Sequence, residues 1–141
     1  INDSIEVAIA AGADGVHIGQ SDMDAKAARA LIGKDKILGV SAKNLLQAQK
    51  AEQDGADYIG VGAVFSTSTK LDADNVSFEM LKTICHNITI PAVAIGGINE
   101  KNMLKLKGSG IAGVAVVSAI FASRDIQAAV KKLRNLCEEM I

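Results

Sequence analysis

Short runs rich in valine and isoleucine alternate along the chain with longer segments in which alanine, lysine and glutamate recur at helical spacing. The apolar runs predict strands at 15–19, 37–41, 58–65, 92–96 and 114–118, with Ile1-Asn2 reading as the tail of a further strand. The amphipathic stretches predict helices over 25–31, 45–52, 78–84, 102–107 and 126–140. Strands that are apolar almost throughout, as opposed to alternating, are the kind buried on both faces, so the pattern predicts a parallel sheet wrapped by helices. A weak internal repeat agrees. Ala11-Gly12-Ala13-Asp14-Gly15 and Asp54-Gly55-Ala56-Asp57-Tyr58 each put a glycine just after a helix and just before an apolar run, where a helix C-terminus calls for it. Gly108-Ser109-Gly110-Ile111-Ala112-Gly113 is a looser third copy.

Strand-plus-helix units of roughly 20 to 35 residues with no antiparallel signal leave two architectures, a (β/α)8 barrel and a doubly wound sheet. No Gly-x-Gly-x-x-Gly fingerprint follows the first strand, which favours the barrel. A complete barrel has eight strands and typically ~250 residues, and a chain of 141 residues supplies about five and a half units. The expectation is an α/β chain, a TIM barrel lacking its first two to three strands. Residues 1–141 would be the carboxy-terminal part of that single barrel, completed by amino-terminal strands of a longer polypeptide or by another subunit, or else folding as an open sheet.

Composition narrows the setting. Hydrophobic residues make up 49% of the chain, enough for one ordinary core and too many for a disordered segment. Fifteen Lys and Arg against 16 Asp and Glu leave a formal charge of −1, so there is no basic field for nucleic acid or anionic lipid. Cys85 and Cys137 stand in no zinc-binding, redox or disulfide spacing and read as reduced, inert thiols. The opening residues carry no basic segment followed by an apolar run, and no apolar stretch approaches the ~20 residues that span a bilayer. A cytoplasmic protein is expected.

In such folds ligands sit at the carboxyl ends of the strands, so the informative residues are those that follow each apolar run. They are Asn2-Asp3, Gln20-Ser21-Asp22, Ser41-Ala42-Lys43, the run Ser66 through Lys70, Gly97-Ile98-Asn99 and Ser118-Ala119. Carboxylates, hydroxyls, a lysine and glycine turns at one mouth suit a Mg²⁺-pyrophosphate substrate. Asp3 and Asp22 would offer hard oxygen ligands. Lys70 would offer a point charge to phosphate, Thr67 and Thr69 neutral donors, and the backbone N–H groups of Gly97 and Ser118 a phosphate site. Plainer roles stand beside these. Asp3 with Glu6, Ser21 or Asp22, Asn99 and Ser118 all fit helix N-caps. Gly60 and Gly62 fit a strand that admits a bulky neighbour, Gly96-Gly97 a tight turn, and the Ser66 to Lys70 run a surface loop. His17 reads as a hydrogen-bonded core residue and His86 as a loop residue, neither a catalyst.

Several of these segments together resemble the thiamine-phosphate synthase family, a group of (β/α) barrel enzymes. They are Ile1-Asn2-Asp3; Gly12-Ala13-Asp14-Gly15-Val16-His17-Ile18-Gly19-Gln20 with Asp22-Met23; Gly39-Val40-Ser41; Gly55 through Gly62 with Val64-Phe65 and Thr67-Ser68-Thr69-Lys70; Ala94-Ile95-Gly96-Gly97-Ile98; and Gly113 through Ile120. The resemblance runs the length of the chain in order. It implies transfer of an aminopyrimidine methyl group from its diphosphate to a thiazole phosphate, giving thiamine phosphate and pyrophosphate with Mg²⁺ on the departing group. It implies further that Asp3 and Asp22 hold Mg²⁺, and that Asn2, Ser41 and Lys70 hold the pyrophosphate or pyrimidine side. Thr67 and Thr69 would lie by the thiazole, and Gly97, Val117 and Ser118 would receive its phosphate. No protein nucleophile is needed, since the reaction asks for charge stabilisation, positioning and exclusion of water.

The family's earlier strands carry a Gln-x-Arg-x-Lys segment that also holds pyrophosphate, and nothing like it precedes Ile1. The expectation is therefore that the chain is the carboxy-terminal part of a longer polypeptide, with little activity alone. The related thiazole tautomerases carry a histidine where this chain has Lys43, which with both aspartates present favours the synthase. A catalytically silent fragment that binds phosphate, or a phosphate-binding barrel of another pathway, are the remaining readings.

Overall fold

The computed structural model describes residues 1–66 and 75–141, so Thr67, Thr69 and Lys70 lie outside the described residues. The chain runs α1 (Ile5–Ala10), β1 (Gly15–Ile18), α2 (Ala25–Ile32), β2 (Ile37–Ala42), α3 (Leu45–Gln53), β3 (Tyr58–Gly62), α4 (Phe78–Asn87), β4 (Ala92–Ile95), a 3-10 turn (Met103–Leu106), β5 (Gly113–Ala115), α5 (Ser118–Phe121) and α6 (Ile126–Met140). Among the described residues the strands form one parallel sheet in the order β1-β2-β3-β4-β5. Each strand is thus added on the same side of the one before. Right-handed crossovers then throw every connecting helix onto one face, whereas a doubly wound sheet reverses and is covered on both. The sheet is an arc of a (β/α) barrel.

Alternation along the strands sorts residues between the two faces of that arc. Ile18, Leu38, Ile59, Val61 and Ala94 are buried against the helical layer, where Ala28, Ala48, Leu81 and Ile84 meet them. Alanines at the helix contacts let α2 and α3 lie close to the strands. The opposite, inner face carries His17, Gly39, Ser41, Tyr58, Gly60 and Val93, and the register sets His17 against Gly39, Gly39 against Tyr58, and Ser41 against Gly60. Beyond β1 the expected strand tail is present as a parallel bridge between Asn2 and His17. Its bonds run from His17 N–H to Ile1 O at 2.9 Å and from Asp3 N–H to His17 O at 2.8 Å.

The repeated glycines do what their spacing predicts. After α1, Gly12 (φ 62°) donates to Ile9 O at 3.0 Å and Ala13 to Ala8 O at 2.9 Å; after α3, Gly55 (φ 95°) donates to Glu52 O at 3.1 Å and Ala56 to Ala51 O at 3.0 Å. This paired closure satisfies the last carbonyls of each helix and turns the chain into the next strand.

Three features differ from the sequence reading. β3 ends at Gly62 and not at 65, although Val64 N–H still reaches Ile95 O at 3.0 Å and Phe65 N–H reaches Gly96 O at 3.2 Å; the apolar run outlasts the regular ladder. The segment expected as a helix over 102–107 is a single 3-10 turn, and α5 is a four-residue helix where a strand end was expected. The caps also shift. Ser4, in extended conformation, caps α1 by accepting from Val7 N–H, while Asp3 sits at φ 67°, and Asp24 rather than Ser21 or Asp22 caps α2. Val117, and not Ser118, occupies the cap position of α5.

The end of the sheet away from the strand C-termini is tied by three side chains. Arg29 donates to Gly55 O at 3.0 Å, to Gly33 O and Lys36 O at 2.7 Å, and to Asp57 Oδ2 at 2.5 Å, and that same carboxylate oxygen accepts from Leu38 N–H at 2.7 Å. Glu52 of α3 accepts through Oε1 from Thr89 N–H at 2.6 Å, Thr89 Oγ1 at 2.7 Å and Ile90 N–H at 3.2 Å, pinning the entry to β4.

Those bonds, the Thr89 hydroxyl's first, hold the Glu52 carboxyl below its ordinary 4.5. A carboxyl lowered by folding stabilises the fold once it is ionised, and that contribution fades as pH falls through its folded value. Glu52→Gln is therefore expected to lower the denaturant midpoint at pH 7, with the gap to the parent narrowing below about pH 4. Paired unfolding curves at the two pH values measure this; an unchanged gap would show that the charge contributes nothing.

Candidate functional site

Every β strand points its carboxyl end to the same rim, because all of them are parallel. Asn2-Asp3 reaches that rim beside β1, Gln20 to Asp22 follows β1, Ser41 closes β2, Gly96-Gly97 follows β4, and Val117-Ser118 follows β5. The fold therefore brings the predicted residues that are described to one side of the sheet.

The two predicted carboxylates are anchored close together, one on β1 and one on the residue that follows it. Asp3 is tied through its backbone to His17 O, and Asp22 Oδ2 accepts from Gly19 N–H at 2.6 Å. His17 and Gly19 are two residues apart, roughly 7 Å of extended chain. Both side chains are exposed. Asp3 is also a non-glycine residue in the left-handed region, a conformation that aspartate tolerates better than most residues and that concentrates at functional sites. Among the described residues no group of three or more His, Cys, Asp or Glu side chains gathers into a cation cage. Two exposed carboxylates still fit Mg²⁺ as it is held with a diphosphate, by one or two carboxylates and the substrate's own phosphate oxygens.

Ser41 is held from two directions. Gln20 Nε2 donates to its carbonyl at 2.7 Å, and its hydroxyl lies 2.9 Å from His17 Nε2. The other ring nitrogen of His17 lies 2.9 Å from the Tyr58 hydroxyl. Glycines make room for this trio. A Cβ at Gly39 would stand 2.2 Å from the Tyr58 ring and 2.4 Å from His17 Nδ1, and one at Gly60 would stand 2.9 Å from His17 Cε1. Gly60 thus admits a bulky neighbour, as its place in a strand suggested. His17 is indeed hydrogen-bonded within the sheet. Tyr58 and the fixing role of Gln20 were not read from the sequence; the signal was an inner-face glycine on each of the next two strands, β2 and β3.

The β4 loop is pressed against the β3 loop. Gly97 (φ 63°) leaves no space for a side chain, since a Cβ there would lie 2.5 Å from Ser66 O and 2.7 Å from Phe65 O. Its carbonyl accepts from Asn102 Nδ2 at 2.9 Å and Asn99 Nδ2 at 3.2 Å, and Asn102 Oδ1 accepts in turn from Asn99 N–H at 2.8 Å. The two asparagines hold Gly97 through its carbonyl and not through its N–H. Val117 and Ser118 are exposed, and no side chain caps α5. Cys85, by contrast, is partly buried behind the sheet, and burial pushes its thiol up, away from reactivity.

The comparisons with known proteins converge. A thiamine-phosphate synthase of Ruminiclostridium cellulolyticum is 57% identical over 136 residues, covering 96% of this chain and 65% of that protein. One from Methanobrevibacter smithii is 54% identical over 133 residues, covering 94% of this chain and 64% of that protein. The chain thus spans about two thirds of the length of these curated relatives. A solved thiamine phosphate pyrophosphorylase of Pyrococcus furiosus superposes with a TM-score of 0.90 at 40% identity, covering 99% of this chain and 67% of that one. A 3-hexulose-6-phosphate synthase structure at 20% identity and a TM-score of 0.69 shares the fold alone. The family model described as thiamine monophosphate synthase matches residues 1–120, and the chain belongs to that family.

Proposed function

We propose that this chain forms the Mg²⁺-binding and thiazole-phosphate-binding part of a thiamine-phosphate synthase. The reaction would join an aminopyrimidine methyl diphosphate to a thiazole phosphate, in the cytoplasm. The observation that carries the reading is the gathering of Asn2, Asp3, Asp22, Ser41, Gly97, Val117 and Ser118 on one rim of a sheet whose sequence is more than half identical to a named synthase. Lys43 stands where a tautomerase would carry histidine, in keeping with the synthase.

In this reading Asp3 and Asp22 hold Mg²⁺, whose charge, when bound, offsets that building on the departing diphosphate. Asn2 and the Ser41 hydroxyl hold the diphosphate in place. The backbone at Gly97, Val117 and Ser118 takes the thiazole phosphate, an arrangement barrels use after their last strands. Lys70, Thr67 and Thr69 complete the set, Lys70 balancing diphosphate charge and the threonines flanking the thiazole. Binding both substrates against these points turns a bimolecular encounter into an oriented one, which is most of what such a displacement asks of a protein.

Isothermal titration of this chain, and of a version extended amino-terminally to the relatives' length, tests the assignment. Thiazole phosphate should bind both, and Mg²⁺-pyrophosphate the longer one; failure of the longer version to bind either ligand would sink it. In that longer enzyme Asp22→Ala should lower turnover by about 100-fold or more and blunt its dependence on Mg²⁺, and a normal Mg²⁺ titration curve would remove Asp22 from the site. Ser118→Ala should leave the thiazole phosphate KM within about threefold if the backbone makes the contact. A large rise would transfer the role to the hydroxyl.

A further inference from the structure

The inner-face trio of Tyr58, His17 and Ser41 has two self-consistent hydrogen arrangements, because a neutral imidazole carries one N–H and one bare nitrogen. In the first, the Tyr58 hydroxyl donates to Nδ1, Nε2–H donates to Ser41 Oγ, and the Ser41 proton is left to point elsewhere. In the second, every bond runs the opposite way: Ser41 donates to Nε2, Nδ1–H donates to the phenol oxygen, and the Tyr58 proton must find another acceptor.

The surroundings separate the two. Among the described residues the hydrogen-bond partner of the Tyr58 hydroxyl is the His17 ring, 2.9 Å away. The second arrangement would turn the phenol proton away from its one hydrogen-bond partner among the described residues, whereas the first frees the Ser41 proton beside the strand end. Burial pushes the Tyr58 hydroxyl above its ordinary 10, so it stays a protonated donor across the neutral range. Ser41, at the end of β2, is the member of the trio at the rim where ligands bind. The imidazole lies so close to Gly39 and Gly60 that a Cβ at either would collide with it.

We infer that His17 is a positioning residue held as its Nε2–H tautomer by Tyr58, and that it turns the Ser41 hydroxyl into an outward-facing donor for a phosphate oxygen or another acceptor on the ligand. The outward role rests on the proposed function; the tautomer does not. A serine so arranged is selective. It greets an anion with its proton and offers a donor-bearing group little, whereas a free serine would serve either.

His86 is the other histidine of the chain, and its Nδ1 lies 2.7 Å from the carbonyl of Lys82, which can only accept. The two rings are therefore expected to hold opposite nitrogens protonated, each the other's reference. Two-bond ¹H–¹⁵N correlations on the ¹⁵N-histidine-labelled, ligand-free chain at pH 8 read this directly, with the exposed His86→Gln variant assigning the signals. The expected result is a protonated Nε2 and a bare Nδ1 for His17, collapsing towards a tautomer mixture in Tyr58→Phe. A bare Nε2, or a ring protonated on both nitrogens, overturns the inference, as does a Tyr58→Phe spectrum identical to the parent's. Because no ligand is present, these signals answer whether or not the protein binds pyrophosphate, so failure of this arrangement and failure of the functional assignment are told apart.

Discussion

One-way addition of parallel strands is the constraint from which the rest of this structure follows. Parallel neighbours cannot be joined by a tight turn, so each needs a crossover, and crossovers of one hand with no reversal put all helices outside and all strand ends together. The chain thereby acquires two unlike ends. At one, helices close through glycine turns, and Arg29, Asp57 and Glu52 bind backbone groups across neighbouring units. At the other, the exposed residues Asn2, Asp3, Asp22 and Ser118 are set out with few demands from packing. The division of labour is a consequence of topology before any residue is chosen.

Much of this was open to reading in the sequence, and the reasons differ by element. Strand positions are legible because a two-sided strand must be apolar nearly throughout, and Gly12 and Gly55 are legible because a helix end that turns directly into a strand needs a left-handed residue. Boundaries were less so. The run through Phe65 continues to look like a strand because Val64 and Phe65 keep irregular bonds to β4, and composition does not distinguish regular from irregular pairing. Caps were ambiguous wherever two acceptors stand side by side, as at Asp3-Ser4, where the backbone conformation decides and a one-residue window cannot.

The site was legible in part for a related reason. Residues that follow strands inherit their position from the topology, so Asp3, Asp22, Ser41, Gly97 and Ser118 could be picked out by counting. Contacts between strands need the register. His17, Tyr58 and Ser41 lie on three different strands and meet only because His17 faces Gly39 and Ser41 faces Gly60. Nothing in the local sequence of any one of them announces the other two.

The glycines that face His17 bear on descent as well as on packing. Gly39 is empty on the inner face for the sake of the His17 and Tyr58 rings and Gly60 for the sake of the His17 ring two strands away, and a side chain at either position would collide with them. The four positions are thus inherited as a block. A lineage that kept the histidine could not enlarge either glycine, and one that lost the histidine would be released at Gly60 while Gly39 stayed confined by the Tyr58 ring. Drift at positions 17, 39, 58 and 60 should accordingly arrive in concert, leaving in the family's history a correlated signature among residues that are far apart in the chain.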